Sequence, residues 1–170
     1  MSVKEGTTVW IVALAALVVA ACASGERRPA DTLASQKALA RRVFDEVLNK
    51  GDFRAFGEIY SPDFVKNPNG AHRTLAQEIQ DARSTRAGSS DLVMTIDDMI
   101  AEGDRVAVLY TGRGTHDGPV GGVPPTGRRF NLSGVTVFRF SGGKIVEETT
   151  IYNELEFLRQ IGVMPGRKGS

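Results

Sequence analysis

Cysteine occurs once in the 170 residues, at Cys22, so no disulfide can form within the chain. An excess of charge of either sign is also missing. The 21 basic and 20 acidic residues leave a formal charge of +1, and no polybasic stretch offers a footprint for nucleic acid or an anionic bilayer. No internal repeat is visible. The longest apolar run, residues 9–20, rises only about 18 Å as a helix against roughly 30 Å of hydrocarbon core, so it reads as a secretory h-region rather than a permanent span. What remains, 41% hydrophobic and 24% charged, suits one globular domain with one core.

The N-terminal segment carries Lys4, then the apolar run, then small residues ending at Cys22. "VVAAC", residues 18–22, resembles the lipobox of bacterial lipoproteins. That resemblance implies a signal peptide over residues 1–21 and a lipidated Cys22 as the mature N-terminus, anchored in the bacterial cell envelope. Ala23 after the cysteine implies the outer membrane, periplasmic side. Residues 22–32, small and polar with Pro29, read as a linker. The folded domain is expected over 33–165, with a tail at 166–170.

From Leu33 to Leu48, apolar residues at Leu39, Val43 and Val47, with Phe44 and Leu48 beside them, form a stripe of helical period ended by "NKGD". "DFRAFGEIY" predicts a short second helix and "TLAQEIQDARS", after Thr74, a third. The second half changes period. "DLVMTIDDMI" with "RVAVLYTGRGTH", and "RRFNLSGVTVFRF" with "KIVEETTIY", read as two hairpins, and Asn153 caps a last short helix carrying Leu155, Leu158 and Ile161. Helices followed by a mostly antiparallel sheet make an α+β fold, and a strongly curved sheet with the N-terminal helices on its concave side would enclose a cavity.

Alternation along strands sorts the faces. Val106, Val108, Tyr110, Gly112, Gly114 and His116 share a face opposite Arg113, so they are expected inside, together with Phe138 and Phe140. On the last strand Ile145, Glu147, Thr149, Ile151 and Asn153 share one face, and Val146, Glu148, Thr150 and Tyr152 the other. A bulge there would shift the register by one and turn Glu147 or Glu148 inward. The loop "THDGPVGGVPPTGRRF" leaves two roles open for His116: bonding within a glycine-rich loop, or lining the rim of a pocket.

"GRGTHDGPVGGVPPTGRRFNLSGVTVFRFSGGKIVEE", preceded by "VLNKGDFRAFGEIYSPDFV" and followed by "YNELEFLRQIG", resembles the SnoaL-like polyketide cyclase (ester cyclase) family. The resemblance implies the cone-shaped α+β barrel shared with nuclear transport factor two, scytalone dehydratase and ketosteroid isomerase. It also implies an intramolecular aldol ring closure without metal or cofactor, in which a carboxylate and a histidine handle protons. Matched to the family pattern, Thr149 falls where a Trp is common and Asn153 where an Asp follows four residues later, while Asn67 stands where many relatives have His or Asp. An amide cannot act as a base at neutral pH, so Asn153 can only orient the substrate or stabilise an enolate. The resulting expectation is a cofactor-free cyclase or isomerase with His116 as base and Asn153 or Asn67 as oxyanion donor. Tyr60, Tyr110, Thr149, Ile151 and Phe138 would contact a small apolar carbonyl substrate. The alternative is a non-catalytic small-molecule-binding lipoprotein. No nucleic-acid partner is expected, and a homodimer would pair through the outer sheet face.

Overall fold

A computed structural model describes residues 29–66 and 72–164. The segment read as a signal peptide with Cys22, together with Asn67 and the 166–170 tail, lies outside the described residues. The first helix, α1 (Pro29–Arg42), starts four residues before the expected domain boundary, inside the stretch read as linker. Proline at a helix start explains this, because its fixed φ suits the first turn and its missing N–H would have no partner there. The helix continues as a π-helical segment (Val43–Asn49) that buries Val43, Phe44 and Val47, the predicted stripe. Gly51, at φ +68°, then reverses the chain.

After a 3₁₀ turn (Phe53–Ala55) and the one-turn helix α2 (Phe56–Ile59), the chain enters a strand that sequence periodicity does not predict, β1 (Tyr60–Lys66). Its Pro62 sits in a stretch where the pairing jumps from Tyr60–Ile145 to Val65–Glu147, so no regular ladder needs the absent N–H. Strand β2 (Arg73–Thr74) leads into α3 (Leu75–Gly88). Thr74 and Gln77 bond each other's backbone N–H in a capping box. The two expected hairpins follow as β3 (Val93–Glu102) with β4 (Arg105–Thr115), and β5 (Arg129–Ser141) with β6 (Lys144–Tyr152). The second turns on Gly142 and Gly143, both at positive φ, as a two-residue type I′ loop requires. Helix α4 (Glu154–Gln160) closes the described chain, capped by Asn153.

The strands are ordered β2-β1-β6-β5-β4-β3. The architecture is the expected α+β cone with a mostly antiparallel sheet, in which only the β1–β6 pair is parallel among the described strands; it differs from the expectation in that the sheet is not closed into a barrel. Val106, Val108, Phe138, Phe140 and Ile145 pack from the inner face against Phe44, Val47, Phe56 and Ile59, placing the core between sheet and helices. Val93, Ile100, Leu109 and Ile151 are exposed on the outer face.

The last strand carries the bulge. Arg139 faces Glu147 while its neighbour Phe140 faces Ile145, so Val146 has no partner and every later side chain of β6 changes face. This corrects two expected substrate contacts. Thr149 and Ile151 point outward, Ile151 being 62% exposed, and Glu148, Thr150 and Tyr152 take the inner face.

Candidate functional site

Between helices and sheet lies a cavity of about 260 Å³. Its walls come from Phe44 and Val47 before β1, from Ala82 on α3, from Tyr110 and Gly112 on β4, and from Phe130, Thr136 and Phe138 on β5. Tyr152 and Phe157 complete it from β6 and α4. This is a mostly apolar pocket with a few converging polar groups, the usual form of a small-molecule site.

The polar groups gather in one corner. Lys66, at the end of β1, places Nζ 2.8 Å from Glu78 Oε2 on α3 and 3.0 Å from Glu148 Oε1 on β6. The Glu78 contact is an ion pair without hydrogen-bond alignment. Glu148 is held further by Tyr60, whose hydroxyl donates to Oε2 at 3.0 Å, and by Thr150, whose hydroxyl donates to Oε1 at 2.9 Å. Thr136 lies 2.9 Å from Thr150, hydroxyl to hydroxyl. Because Thr150 spends its proton on the carboxylate, Thr136 must be the donor in that pair.

Burial and mutual repulsion set the charge of this corner. Glu78 is pushed up to about 7, first by burial and then by the charge of Glu148, with Lys66 acting in the other direction. Burial alone would pull the Lys66 ammonium down, but Glu148 and Glu78 outweigh it and hold the group above the ordinary lysine value. The Tyr60 hydroxyl is driven well above its usual range by burial and then by the two carboxylates. Tyr110 is pushed up to about 12, mainly by burial, and so is a neutral hydroxyl facing the cavity. Among the described residues no cluster of His, Cys, Asp and Glu has the form of a metal site.

The raised value of Glu78 fixes the sign of a pH effect on stability. The folded state binds that proton more tightly than the unfolded chain does, so the stabilisation is complete below about pH 4.5 and is lost as pH rises through about 7. The melting midpoint should therefore fall between pH 5 and pH 8, with a total loss of at most about 3 kcal/mol. Glu78→Gln should flatten that slope, and an unchanged slope in the variant would assign the effect elsewhere.

The residues expected from sequence are only partly brought together. Tyr60, Tyr110 and Phe138 line the cavity as expected. His116 is fully buried but lies beyond the end of β4 and is not among the lining side chains. Its Nδ1 is 3.1 Å from Thr126 Oγ1, and its backbone bonds Thr126, Gly127 and Arg128. The ring stands edge-on to Phe157 at 6.3 Å, with Nε2 buried and unpartnered. Of the two roles left open by the sequence, this geometry is that of a loop anchor. The loop itself does reach the cavity, through Val120 and Phe130. It is seated by a close approach to α3: a Cβ on Gly118 would lie 1.8 Å from the Ala87 carbonyl oxygen, and one on Gly88 2.1 Å from Val120. Asn153 is exposed, and its side-chain oxygen accepts from the Glu156 N–H at 3.0 Å, so its present work is capping α4.

Lys66, Glu78 and the threonine pair were missed. Glu78 left a signal, because Leu75, Ile79 and Ala82 form a helical stripe that position 78 shares. A carboxylate on an apolar stripe marks a buried charge needing a partner. Lys66 left no comparable signal, since its strand was not foreseen.

Sequence comparison matches residues 38–161 to the family described as SnoaL-like polyketide cyclase. Among solved structures, AclR from Streptomyces galilaeus, a hydroxylase candidate, is 30% identical, with 79% of this chain and 85% of that one covered at a TM-score of 0.72. IdmH from Streptomyces antibioticus, a polyketide cyclase candidate, is 29% identical over 75% of this chain and 98% of its own, with a TM-score of 0.67. A SnoaL-like protein from Jannaschia sp. CCS1 is 25% identical over 82% and 99%, at 0.73. A search of curated proteins found no match. With the match spanning most of the described domain, and the cavity and cone in place, the chain belongs to the SnoaL-like polyketide cyclase family.

Proposed function

We propose that this protein binds a small, largely apolar carbonyl compound in the cone cavity and converts it by acid–base enolisation, as a cyclase or isomerase would. The observation that carries this reading is the pair of buried carboxylates sharing one lysine in the corner of an apolar cavity. Enolisation requires a base for a carbon-bound proton and a donor for the carbonyl oxygen that gains charge. A carboxyl group brought near neutrality by burial is suited to both taking and returning the proton, and Glu78 has that property. Tyr60, Thr150 and Lys66 hold Glu148 at a fixed orientation, and Tyr110 offers a neutral hydroxyl to the substrate oxygen. The family membership and the likeness to IdmH support the same class of chemistry. In this reading the acid–base role expected of His116 passes to the carboxylates, because His116 does not line the cavity.

The partial reaction can be followed without knowing the natural substrate. Exchange of α-protons for deuterium on enolisable ketones, followed by NMR in deuterium oxide, reports enolisation alone. Glu78→Gln and Glu148→Gln should each lower catalysed exchange by about 10²- to 10⁴-fold, whereas His116→Gln should retain most of it. Exchange abolished by His116→Gln and untouched by both glutamine variants would return the base to His116. Binding of ketones without any exchange would leave the protein a small-molecule binder.

A further inference from the structure

We infer that the cavity takes an uncharged, flat carbonyl compound of one or two fused rings, with its oxygen towards the Tyr110 hydroxyl and its ring against the aromatic lining of Phe44 and Phe130. This rests on the enolisation reading for the carbonyl group but not for ring number or charge. Size comes first. A cavity of about 150 Å³ encloses a benzene ring, and 260 Å³ is less than twice that, enough to hold a second fused ring, whereas a four-ring ligand would have to extend out of the cavity mouth.

Charge comes second. Among the described residues Lys66 is the single cationic side chain lining the cavity; its ammonium is already held by Glu78 and Glu148 at 2.8 and 3.0 Å, and the third lining carboxylate, Asp81, is paired with Arg73 outside the lining. A ligand carboxylate or phosphate would meet the Glu148 carboxylate with no free cation among the described lining residues to offset it, in surroundings where repulsion is poorly screened. Shape comes third. Phe44 stands 5.4 Å from Tyr110, and Phe130 stands edge-on to Phe157 at 5.3 Å, so two aromatic pairs in the lining present aromatic surface to a planar ring.

The test uses the purified protein and three probes: β-tetralone, a tetralone bearing a ring carboxylate, and a four-ring steroid ketone. Saturation-transfer NMR and thermal shift read binding, and α-proton exchange is recorded in the same samples. The expected result is β-tetralone bound at least tenfold more tightly than either of the others. Equal or tighter binding of the steroid would overturn the limit on ring number, and equal or tighter binding of the carboxylate would overturn the limit on charge. Failure of all three to bind would overturn the whole inference. β-Tetralone bound without exchange would support the ligand class while removing enolisation.

Discussion

Lys66→Met should destabilise the protein by about 3–5 kcal/mol at pH 8, because it leaves two buried carboxylates facing each other without the cation between them. The chain can escape part of that penalty by protonating. Glu78 already holds its proton up to about pH 7 in the native protein, and without Lys66 its affinity for the proton rises further. The loss should therefore be smaller at pH 5 than at pH 8, which a mere packing defect would not produce. Chemical denaturation at both pH values reads the difference. A second comparison isolates the charge: adding Glu78→Gln and Glu148→Gln to Lys66→Met removes the stranded anions, and should recover much of the stability, as replacement of whole buried ion groups often does. A triple variant no more stable than Lys66→Met alone, or a loss independent of pH, would refute this account of the corner.

The contrast between fold and site follows from what each depends on. Helix stripes, the helix start after Thr74 and the two hairpin turns are local patterns, and each appears where the sequence places it. The faces of β4 and of Phe138 and Phe140 are likewise legible, because Arg113 and the alternation around it fix the inside. The site depends on two non-local events. One is the extra residue at Val146, which exchanges Thr149 and Ile151 for Glu148 and Thr150 on the inner face; a bulge has no strong signature in a run such as "KIVEETTIY". The other is the parallel pairing of β1 with β6, which brings Lys66 to Glu148 across 82 positions of sequence. Pro62 and the short length of β1 hid that strand. His116 is buried, as expected, but does not line the cavity. It lies in phase with Tyr110, but β4 ends at Thr115, and beyond a strand's end alternation no longer says where a side chain points.

Phe138→Ala should cost about 3 kcal/mol, the lower part of the range for truncating a buried phenylalanine, since the new void joins a cavity the fold already contains. For a chain of this size that corresponds to a fall in melting midpoint of roughly 6–12 °C. Ile151→Ala is the control. Ile151 follows Glu148 by three positions on β6 but lies outward and 62% exposed, whereas Phe138 is 1% exposed, so its truncation should cost under about 0.5 kcal/mol. The pair tests the bulge directly: without the extra residue at Val146, Ile151 would sit on the inner face and its loss would be several times larger. Phe138→Ala has a further consequence for binding, because its ring closes the cavity beside Glu148, its cross-strand partner. Removing that ring lengthens the pocket towards the sheet. If ring number is limited by volume, the four-ring steroid ketone should gain measurable affinity in Phe138→Ala while β-tetralone loses some of its own through poorer packing. A variant that melts lower yet keeps the wild-type preference would separate stability from selectivity and assign the size limit to the cavity mouth instead of to Phe138.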